Sequence, residues 1–367
     1  MRSSIARGLG SLWLVLALVG CSDGRTPGPD GGAIDGAVVD ARDLDAADLD
    51  AADLDAPDLD APDLDAPDLD APDLDAPDLD APDLDAPDLD APDLDAPDLD
   101  APPPDAAEPT RLRLVASNLT SGNFQRYEAP GQRLLDGLDP DVVLMQEWNV
   151  GTNTEAELRA FVDSTFGPGF VYTRESGVAI PNGVISRYPI VAAGVWDDPQ
   201  VNNREFVWAR LDVPGPRDLW AVSVHFLTTS ASSRNAQAVA LRSFVLANVP
   251  SADLLVIGGD LNTDSRTEAA LTTLSAVVST TAPHPADQLG DDDTSANRSK
   301  PYDWLLFDAE LRAAQVPTAI GASSFPAGLV LDTRVYTPLA EVAPAMAGDS
   351  AAANMQHMAV VKDVIVP

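Results

Sequence analysis

From residue 110 onward the chain alternates between short apolar runs, rich in Val, Ile and Leu, and polar breaks that contain Gly, Pro, Asn or Asp. Such runs predict buried β-strands, whereas apolar positions that recur with the helical period predict helices. The predicted strands are 111–117, 141–145, 170–173, 183–186, 191–196, 206–213, 218–226, 254–260, 302–307 and 358–366. The predicted helices are 155–166, 233–248 and 267–274. Because strands outnumber helices, we predict an α/β fold in which two packed sheets carry outer helices.

Residues 1–21 show a different pattern. Arg2 and Arg7 precede an apolar core at 9–19, which is too short to span a bilayer. The core ends in Leu-Val-Gly-Cys, and this segment resembles a bacterial lipoprotein signal, in which the cysteine is lipidated. The resemblance implies export and a lipid anchor at Cys21, and the serine that follows suggests the outer membrane or cell surface. An ordinary signal peptide with an unrelated thiol is the alternative.

Residues 22–109 contain one pentad, Asp-Leu-Asp-Ala followed by Ala or Pro, which repeats without a break over 43–102. A five-residue period builds no apolar face on a helix or a strand, and the prolines oppose both structures. Because the aspartates repel one another, we predict a disordered, extended stalk. Weak calcium binding by the aspartates is an alternative. The globular domain is then predicted to occupy 110–367.

Most of the negative charge belongs to the stalk. The formal net charge is −37, of which residues 110–367, with 29 acidic and 18 basic residues, account for −11. Proteins that bind duplex DNA tightly usually carry a basic face, and this composition does not predict one. Cys21 is the single cysteine. The body therefore has no disulfide and must fold on core packing.

Polar residues follow or end several predicted strands of the body. They are Asn118, Gln146, Glu147, His225, Asp260, Asn262, Asp303 and His357. The carboxyl ends of strands carry the chemistry of α/β sheets, and Asp260 and Asn262, two positions apart, are predicted to point the same way. Any one of these residues alone has a structural explanation, such as a helix cap, but together they predict a site. The sequence contains no glycine-rich phosphate loop and no Cys/His zinc motif.

The order of these residues resembles that of the endonuclease/exonuclease/phosphatase superfamily, which includes pancreatic deoxyribonuclease, abasic-site endonucleases, neutral sphingomyelinases and inositol-polyphosphate 5-phosphatases. The matching features are the Asn118 strand, Gln146-Glu147, NGVISRYPI at 182–190, the His225 strand, GGDLN, YDWLL and the last histidine. They span essentially all of 111–367. The resemblance implies a four-layer α/β sandwich, in which two packed, mainly antiparallel or mixed β-sheets are flanked by helices.

Phosphodiester hydrolysis requires an activated water, neutralisation of charge on the non-bridging oxygens and help for the leaving oxygen. Glu147 is a hard anionic ligand for Mg²⁺, and Asn118 can add a neutral oxygen beside it. We therefore predict a magnesium site at these two residues, with Mn²⁺ or Ca²⁺ as alternatives. Because magnesium keeps several waters, few protein ligands are expected.

The resemblance also implies roles for the other polar residues. His357 would be a general base or a phosphate contact, oriented by Asp303, since a carboxylate fixes the tautomer of an imidazole. Asp260 and Asn262 would position the attacking water and the scissile phosphate. His225 would donate to a phosphate oxygen or to the leaving group.

Three further features bear on the predicted site. Gln356 stands where the family usually has an aspartate before the last histidine; an amide there can hold a cation or a water but cannot act as a base. Asn203 and Arg204 are predicted phosphate-binding residues, as is the basic segment 297–300, with an ordinary surface role as the alternative. His284 lies in a loop with prolines on either side and is predicted to be incidental.

We predict a metal-dependent phosphodiester hydrolase that acts outside the cytoplasm as a nuclease on DNA or RNA. The first alternative is a phospholipid or inositol-phosphate hydrolase with the same site. The second is a catalytically weakened surface binding module, which Gln356 and the stalk suggest. The predicted partners are a nucleic acid or another phosphodiester substrate and, through the lipid anchor, a membrane. The chain is expected to be a monomer.

Overall fold

The computed structural model describes residues 109–122 and 125–366. The predicted signal segment 1–21 and the predicted stalk, apart from Pro109, lie outside the described residues. The strands are β1 (Thr110–Ser117), β2 (Val142–Met145), β3 (Val171–Arg174), β4 (Gly183–Ser186), β5 (Ile190–Trp196), β6 (Phe206–Leu211), β7 (Leu219–His225), β8 (Leu254–Asp260), β9 (Asp303–Phe307), β10 (Gln315–Val316), β11 (Thr318–Ile320), β12 (Ser323–Phe325), β13 (Leu329–Leu331) and β14 (Ala359–Val366). The α-helices are α1 (Ala129–Leu138), α2 (Glu155–Thr165), α3 (Ala231–Asn248), α4 (Ala269–Leu274) and α5 (Ala309–Ala313), and 3₁₀ turns occur at Leu339–Val342 and Asp349–Ala351.

The main strands form two mixed sheets. The first has the order β10-β14-β1-β2-β4-β3, with β13 also paired to β14, and the second has the order β5-β6-β7-β8-β9. In the first sheet β1 pairs parallel with β2 and antiparallel with β14. In the second sheet β7 pairs parallel with β8, and β8 pairs antiparallel with β9. The short strands β11 and β12 form a separate hairpin.

The two sheets pack face to face, and helices cover their outer faces. Leu112 and Leu114 of β1 pack with Val207 and Val256 of the second sheet in a core between the sheets. A second core lies under α1 and α2, and a third lies between the second sheet and α3 and α4. The order of layers is helix, sheet, sheet, helix. The predicted four-layer α/β sandwich is confirmed.

Local signals in the sequence account for several elements. Thr154 and Glu157 form a reciprocal capping box at the start of α2, and the side chain of Ser230 accepts the backbone N–H of Ser233 in the first turn of α3. Strands β7 and β8 are buried along their whole length, which explains their continuous apolar runs. All the predicted strands and helices are present, with ends that differ by no more than two residues.

Helix α1 is not predicted by the pattern, because it contains Pro130, Gly131 and Gly137. The proline is tolerated since it lies in the first turn, where no N–H bond is lost. A Cβ at Gly131 would collide with the backbone oxygen of Leu119, and one at Gly137 would collide with that of Val342. Gly131 therefore lets α1 pack closely on the loop that follows β1, and Gly137 lets it pack on the 3₁₀ turn that ends at Val342. Helix α5 and strands β10 to β13 are also unpredicted, because they are too short to show a period.

No helix in the described part of the chain combines the length and the apolar character needed to cross a membrane.

Candidate active site

The strands of both sheets bring their polar ends to one place. Parallel pairing of β1 with β2, and of β7 with β8, sets their carboxyl ends side by side. Strands β9 and β14 run antiparallel to their neighbours, so they begin at the same edge. The residues placed there, all of them buried, are Asn118, Glu147, His225, Asp260, Asn262, Asp303 and His357.

The imidazole of His357 lies between two carboxylates. Its Nδ1 is 2.9 Å from Oδ2 of Asp303, and its Nε2 is 3.4 Å from Oδ2 of Asp260. Burial alone would lower the pKa of His357, but the charges of Asp303 and Asp260 outweigh it and raise the pKa to about 10. In the metal-free protein His357 is therefore a cation at neutral pH.

The segment at Thr294 holds this pair in place. The hydroxyl of Thr294 accepts the backbone N–H of Asp303 at 2.7 Å, and its carbonyl oxygen accepts the N–H of Met358 at 2.7 Å. The neighbouring Ser295 forms a β-bridge with His357. One short segment thus positions both members of the pair, although they are far apart in the sequence.

Asp260 occupies the centre of the site. Its Oδ2 accepts Nδ2 of Asn118 at 3.1 Å, and its Oδ1 accepts the backbone N–H of Asn262 at 2.8 Å. The same Oδ2 lies 3.4 Å from Nε2 of His225 and from Nε2 of His357. Burial raises the pKa of Asp260 to about 6, against the opposing charge of His357. A carboxylate with this pKa is ionised at neutral pH and still accepts a proton readily.

The glycine before Asp260 is required by close packing. Gly259 has φ 140, and a Cβ there would collide with the backbone oxygen of Val224 and with the amide of Gln146. After Asp260 the chain turns at Asn262, which has φ 50 and donates Nδ2 to the backbone oxygen of Phe226 at 3.0 Å. The sequence Gly-Asp-Leu-Asn thus places an aspartate and an asparagine on a sharply turning strand end.

Glu147 sits on the side of the first sheet, in a turn with φ 51. Its Oε2 accepts the hydroxyl of Thr120, and its Oε1 accepts Nε2 of Gln125, each at 3.1 Å. Burial raises the pKa of Glu147, and the charge of His357 opposes this shift. The carboxylate is thus oriented by two neutral donors.

The residues beside Glu147 fit a hard divalent cation. Asn118 donates its amide group to Asp260, and its Oδ1 is buried without a hydrogen-bond partner among the described residues. A neutral amide oxygen beside a carboxylate is the donor set that Mg²⁺, Mn²⁺ and Ca²⁺ prefer. Asp260, Asp303 and His357 also offer ligand atoms that lie within 4.8 Å of one another. In that second set, however, Asp303 and His357 already bond to each other.

The pKa of His225 is shifted in the opposite direction from that of His357. Its Nε2 lies 3.4 Å from Asp260 and 3.9 Å from Oε1 of Glu147. Its Nδ1 is buried and has no hydrogen-bond partner in the described part of the chain. Burial lowers the pKa of His225 well below its ordinary value, and the charges of Arg204 and His357 act in the same direction. His225 is therefore neutral at neutral pH.

Arg204 supports the end of β7. Its Nε and Nη2 donate to the backbone oxygens of His225 at 2.5 Å and of Phe226 at 2.8 Å, while Nη1 bonds to Oδ1 of Asn203 at 3.3 Å. The guanidinium is close enough to shift the pKa of His225, but most of its donors serve protein oxygens. A phosphate-binding role for Asn203 and Arg204 stays a prediction.

Gln356 and His284 lie apart from this cluster. Gln356 is exposed, although it directly precedes the buried His357. His284 packs its ring edge-on against Trp304, with ring centres 5.4 Å apart, beside a separate cavity. The predicted lipidation site, Cys21, lies outside the described residues.

Several supporting residues carry no clear signal in the sequence. The hydroxyl of Tyr127 donates to the backbone oxygen of Ser117 at 2.8 Å and accepts the N–H of Leu119 at 3.2 Å, which orders the loop before the predicted metal ligands. Gln146 donates Nε2 to the hydroxyl of Ser223 at 2.9 Å and so ties the two sheets together beneath the site. The sequence shows Gln146 as the neighbour of Glu147, but only the fold shows that its partner is Ser223.

Comparisons with known proteins concern most of the body. Residues 96–323 match the model of the Endonuclease/Exonuclease/phosphatase family. A search of curated proteins gives no match.

The solved structures that the chain is similar to share little sequence with it. A conserved protein of unknown function from Enterococcus faecalis V583 is 10% identical, with a TM-score of 0.49 over 70% of this chain and 99% of its own. An endonuclease/exonuclease/phosphatase from Beutenbergia cavernae DSM 12333 is 18% identical, with a TM-score of 0.47 over 69% of this chain and 71% of its own. Sphingomyelinase C from Streptomyces griseocarneus is 16% identical, with a TM-score of 0.42 over 70% of this chain and 99% of its own.

Proposed function

This chain belongs to the endonuclease/exonuclease/phosphatase family, and we propose that it hydrolyses phosphodiester bonds with Mg²⁺, or a related divalent cation, held by Asn118 and Glu147. The observation that carries the proposal is the buried Oδ1 of Asn118, which has no hydrogen-bond partner among the described residues, on a side chain close enough to Glu147 to act on its pKa. Contacts through His225 and Asp260 join both residues in one cluster with His357. A bound cation supplies positive charge to a phosphate oxygen and makes a bound water more acidic.

The charge states in the pocket suggest how the other residues act on a phosphodiester. His357, as a buried cation, neutralises charge on a non-bridging oxygen. Asp260, with a pKa of about 6, takes the proton of the attacking water. His225, as a neutral imidazole, donates a hydrogen bond to the leaving oxygen. Asn262 holds the end of β8 in the turn that presents Asp260. The structure therefore favours the phosphate-contact role for His357 over the general-base role.

We propose nucleic acid as the first substrate to test. The full set of strand-end residues is present in the order that the sequence shares with this family, and a phosphodiester backbone offers both a non-bridging oxygen for His357 and a leaving oxygen for His225. The chain would then act as a nuclease.

A phospholipid or an inositol phosphate is the second candidate, and the pairing of nearby cations favours it. Lys300, in the loop that leads to Asp303, is bonded to Asp264 at 3.0 Å. Arg298, in the same loop, pairs with Asp287 and Asp332, each at 2.6 Å. Cations that are already paired are less available to follow a long polyanion such as DNA.

We also propose that the chain works outside the cytoplasm as a lipid-anchored monomer. The support is the signal-like segment that ends at Cys21. The aspartate-rich pentads then separate the catalytic body from this anchor. Cys21→Ala should release the protein from the membrane fraction without changing its turnover. Retention of this variant in the membrane would contradict the anchor.

The decisive experiment is an activity panel on the purified chain. Plasmid DNA, single-stranded DNA, RNA, sphingomyelin, phosphatidylinositol and inositol phosphates are each incubated with Mg²⁺, Mn²⁺ or Ca²⁺, and again with excess EDTA. We expect cleavage of at least one phosphodiester that EDTA abolishes. Cleavage of nucleic acid with lipids spared selects the nuclease, and the reverse selects the lipid hydrolase.

A binding module without activity is the remaining alternative. It would leave every substrate intact with every cation. The matched control is Glu147→Gln, which keeps the volume of the side chain and removes its charge. Activity that survives this substitution would show that the metal site is elsewhere.

A further inference from the structure

A second group of charged residues surrounds a small cavity behind the Asp303–His357 pair. The cavity follows β9, and its lining includes Arg266, His284, Asp303, Arg312 and Lys362. Its empty space is about 380 Å³, including the mouth. This leaves room for a small ion.

Lys362 is the unusual member of this group. It lies on β14, is 4% exposed, and donates Nζ to the backbone oxygen of Leu305 at 2.7 Å. The ammonium also lies 4.8 Å from the ring centre of Phe307. Among the described residues it has no other hydrogen-bond acceptor and no ion pair. Because an ammonium carries three N–H donors and burying an unpaired charge is costly, the protonated form of Lys362 has a charge and donors that the protein leaves unused.

Arg312 is a second cation at the cavity without a carboxylate partner in the described chain. Its Nη1 bonds to Oε1 of Gln315 at 3.3 Å. Arg266, by contrast, is neutralised by Asp292 at 3.1 Å. Asp293 also pairs with Arg266, at 3.3 Å, and Asp303 pairs with His357. Lys362 and Arg312 are therefore the lining cations that have no carboxylate partner in the described chain. Burial, together with the charge of Arg312, lowers the pKa of Lys362 to about 7.

We propose that this cavity binds a small tetrahedral oxyanion of the phosphate class between Lys362 and Arg312. Such an anion would accept the unused N–H groups in charge-assisted hydrogen bonds and compensate both unpaired cations. It would also lie against Thr294, which lines the cavity and holds the backbone N–H of Asp303. The site adjoins the hydrolytic cluster through Asp303, which belongs to both, but Lys362 and Arg312 bond to Leu305 and Gln315 and to no residue of that cluster.

The test is a calorimetric titration of sodium phosphate into the full chain in EDTA, at constant ionic strength, with sodium chloride as the reference salt. We expect one phosphate to bind per chain and the melting temperature to rise with phosphate but not with chloride. Lys362→Met preserves the bulk of the side chain and should weaken binding by about 10- to 100-fold, the usual effect of losing a hydrogen bond to a charged group. Arg312→Gln should weaken binding by a smaller factor.

Two further variants separate this site from other sources of phosphate binding. Arg159→Gln removes an arginine of α2 that does not line the cavity, and it should bind phosphate as the unaltered chain does. His357→Ala removes the cation of the hydrolytic pocket, and phosphate binding should be retained. If Lys362→Met fails to fold, Arg312→Gln makes the same comparison.

The proposal is overturned if the unaltered chain binds no phosphate. It is also overturned if binding disappears in His357→Ala and persists in Lys362→Met and Arg312→Gln, because the anion would then occupy the hydrolytic pocket. These measurements are made without metal and without substrate, so they stand whether or not the chain hydrolyses phosphodiesters.

Discussion

The two histidines of the candidate active site differ sharply, although both are buried and both lie 3.4 Å from the same oxygen of Asp260. At the end of β7, His225 has a pKa well below its ordinary value, whereas His357, just before β14, has a pKa of about 10. One imidazole is therefore neutral and its neighbour is charged. Burial pushes both pKa values down and cannot explain the difference.

The difference in pKa follows from the surroundings of Nδ1, the nitrogen on the side of each ring away from Asp260. Nδ1 of His357 bonds to the carboxylate of Asp303, while Nδ1 of His225 has no partner in the described chain and the ring lies near the guanidinium of Arg204. The partner on the outer side of the ring therefore sets the charge of each histidine. A cation for the phosphate and a neutral donor for the leaving oxygen can then share one small pocket.

The largest effect is expected when the carboxylate of Glu147, which lies 3.9 Å from His225, is removed. Glu147→Ala should abolish metal-dependent activity, because it removes the anionic ligand that we assign to the cation together with Asn118. The measurement is the rate of substrate cleavage as a function of Mg²⁺ concentration. Asp212→Ala, which removes an exposed carboxylate after β6, is the control and should keep its rate. Full activity of Glu147→Ala at ordinary Mg²⁺ concentrations would contradict the metal assignment.

The next effect concerns the charged histidine itself. His357→Ala should reduce kcat/KM by about 10²- to 10⁴-fold, the scale expected for a positioned catalytic group. His284→Ala is the matched control, because His284 packs against Trp304 outside the pocket, and it should change the rate very little. Equal losses in the two variants would mean that histidine substitution harms the fold and that the assigned role of His357 is wrong.

A third prediction tests the cause of the difference in pKa between the two histidines. Asp303→Asn should lower the pKa of His357 toward its ordinary value of about 6.5, and it should leave His225 neutral. Titration of the imidazole resonances by NMR in the metal-free protein measures both values. An unchanged pKa of His357 in this variant would show that Asp303 is not its main counter-charge.

The same substitution has a consequence for stability. A raised pKa in the folded state stabilises the protein fully below the unfolded value, near 6.5, and this contribution is lost as the pH rises through about 10. The difference in unfolding free energy between the unaltered chain and Asp303→Asn should therefore shrink over that window. Lys362, whose folded pKa is lowered, contributes to stability with the opposite dependence on pH. Both chains contain Lys362, so its contribution cancels when one unfolding free energy is subtracted from the other.

Much of the fold and the polar residues of the site could be predicted, because strand ends are visible in the sequence. An apolar run that stops at a polar residue identifies both the strand and its functional end, as in β8 and Asp260. Parallel neighbours then bring such ends together. The family resemblance supplied the pairing of His357 with Asp303, which lie 54 positions apart.

What could not be predicted depends on contacts between distant segments. The glycines of α1 oppose a helix until the close approach to Leu119 is known. The unlike charge states of the histidines follow from which groups face each ring, and no local pattern encodes that. Arg204 looks like a free cation in the sequence, but the fold turns it toward the carbonyl oxygens at the end of β7.

The smallest effect is expected at the position next to the charged histidine. Gln356 is exposed, so Gln356→Asp places a new carboxylate in solvent rather than in the pocket. Exposed charge pairs contribute at most about 1 kcal/mol, so we expect kcat/KM and the affinity for Mg²⁺ to change by about fivefold or less. Gln356→Glu is the matched variant, since it carries the same charge one methylene further out. A large rise in metal affinity with aspartate alone would mean that the shorter carboxylate reaches the pocket and recruits a second cation beside His357. A large loss of activity would mean instead that the amide of Gln356 contacts the substrate, and the charge contrast between the two histidines would then describe only part of the working site.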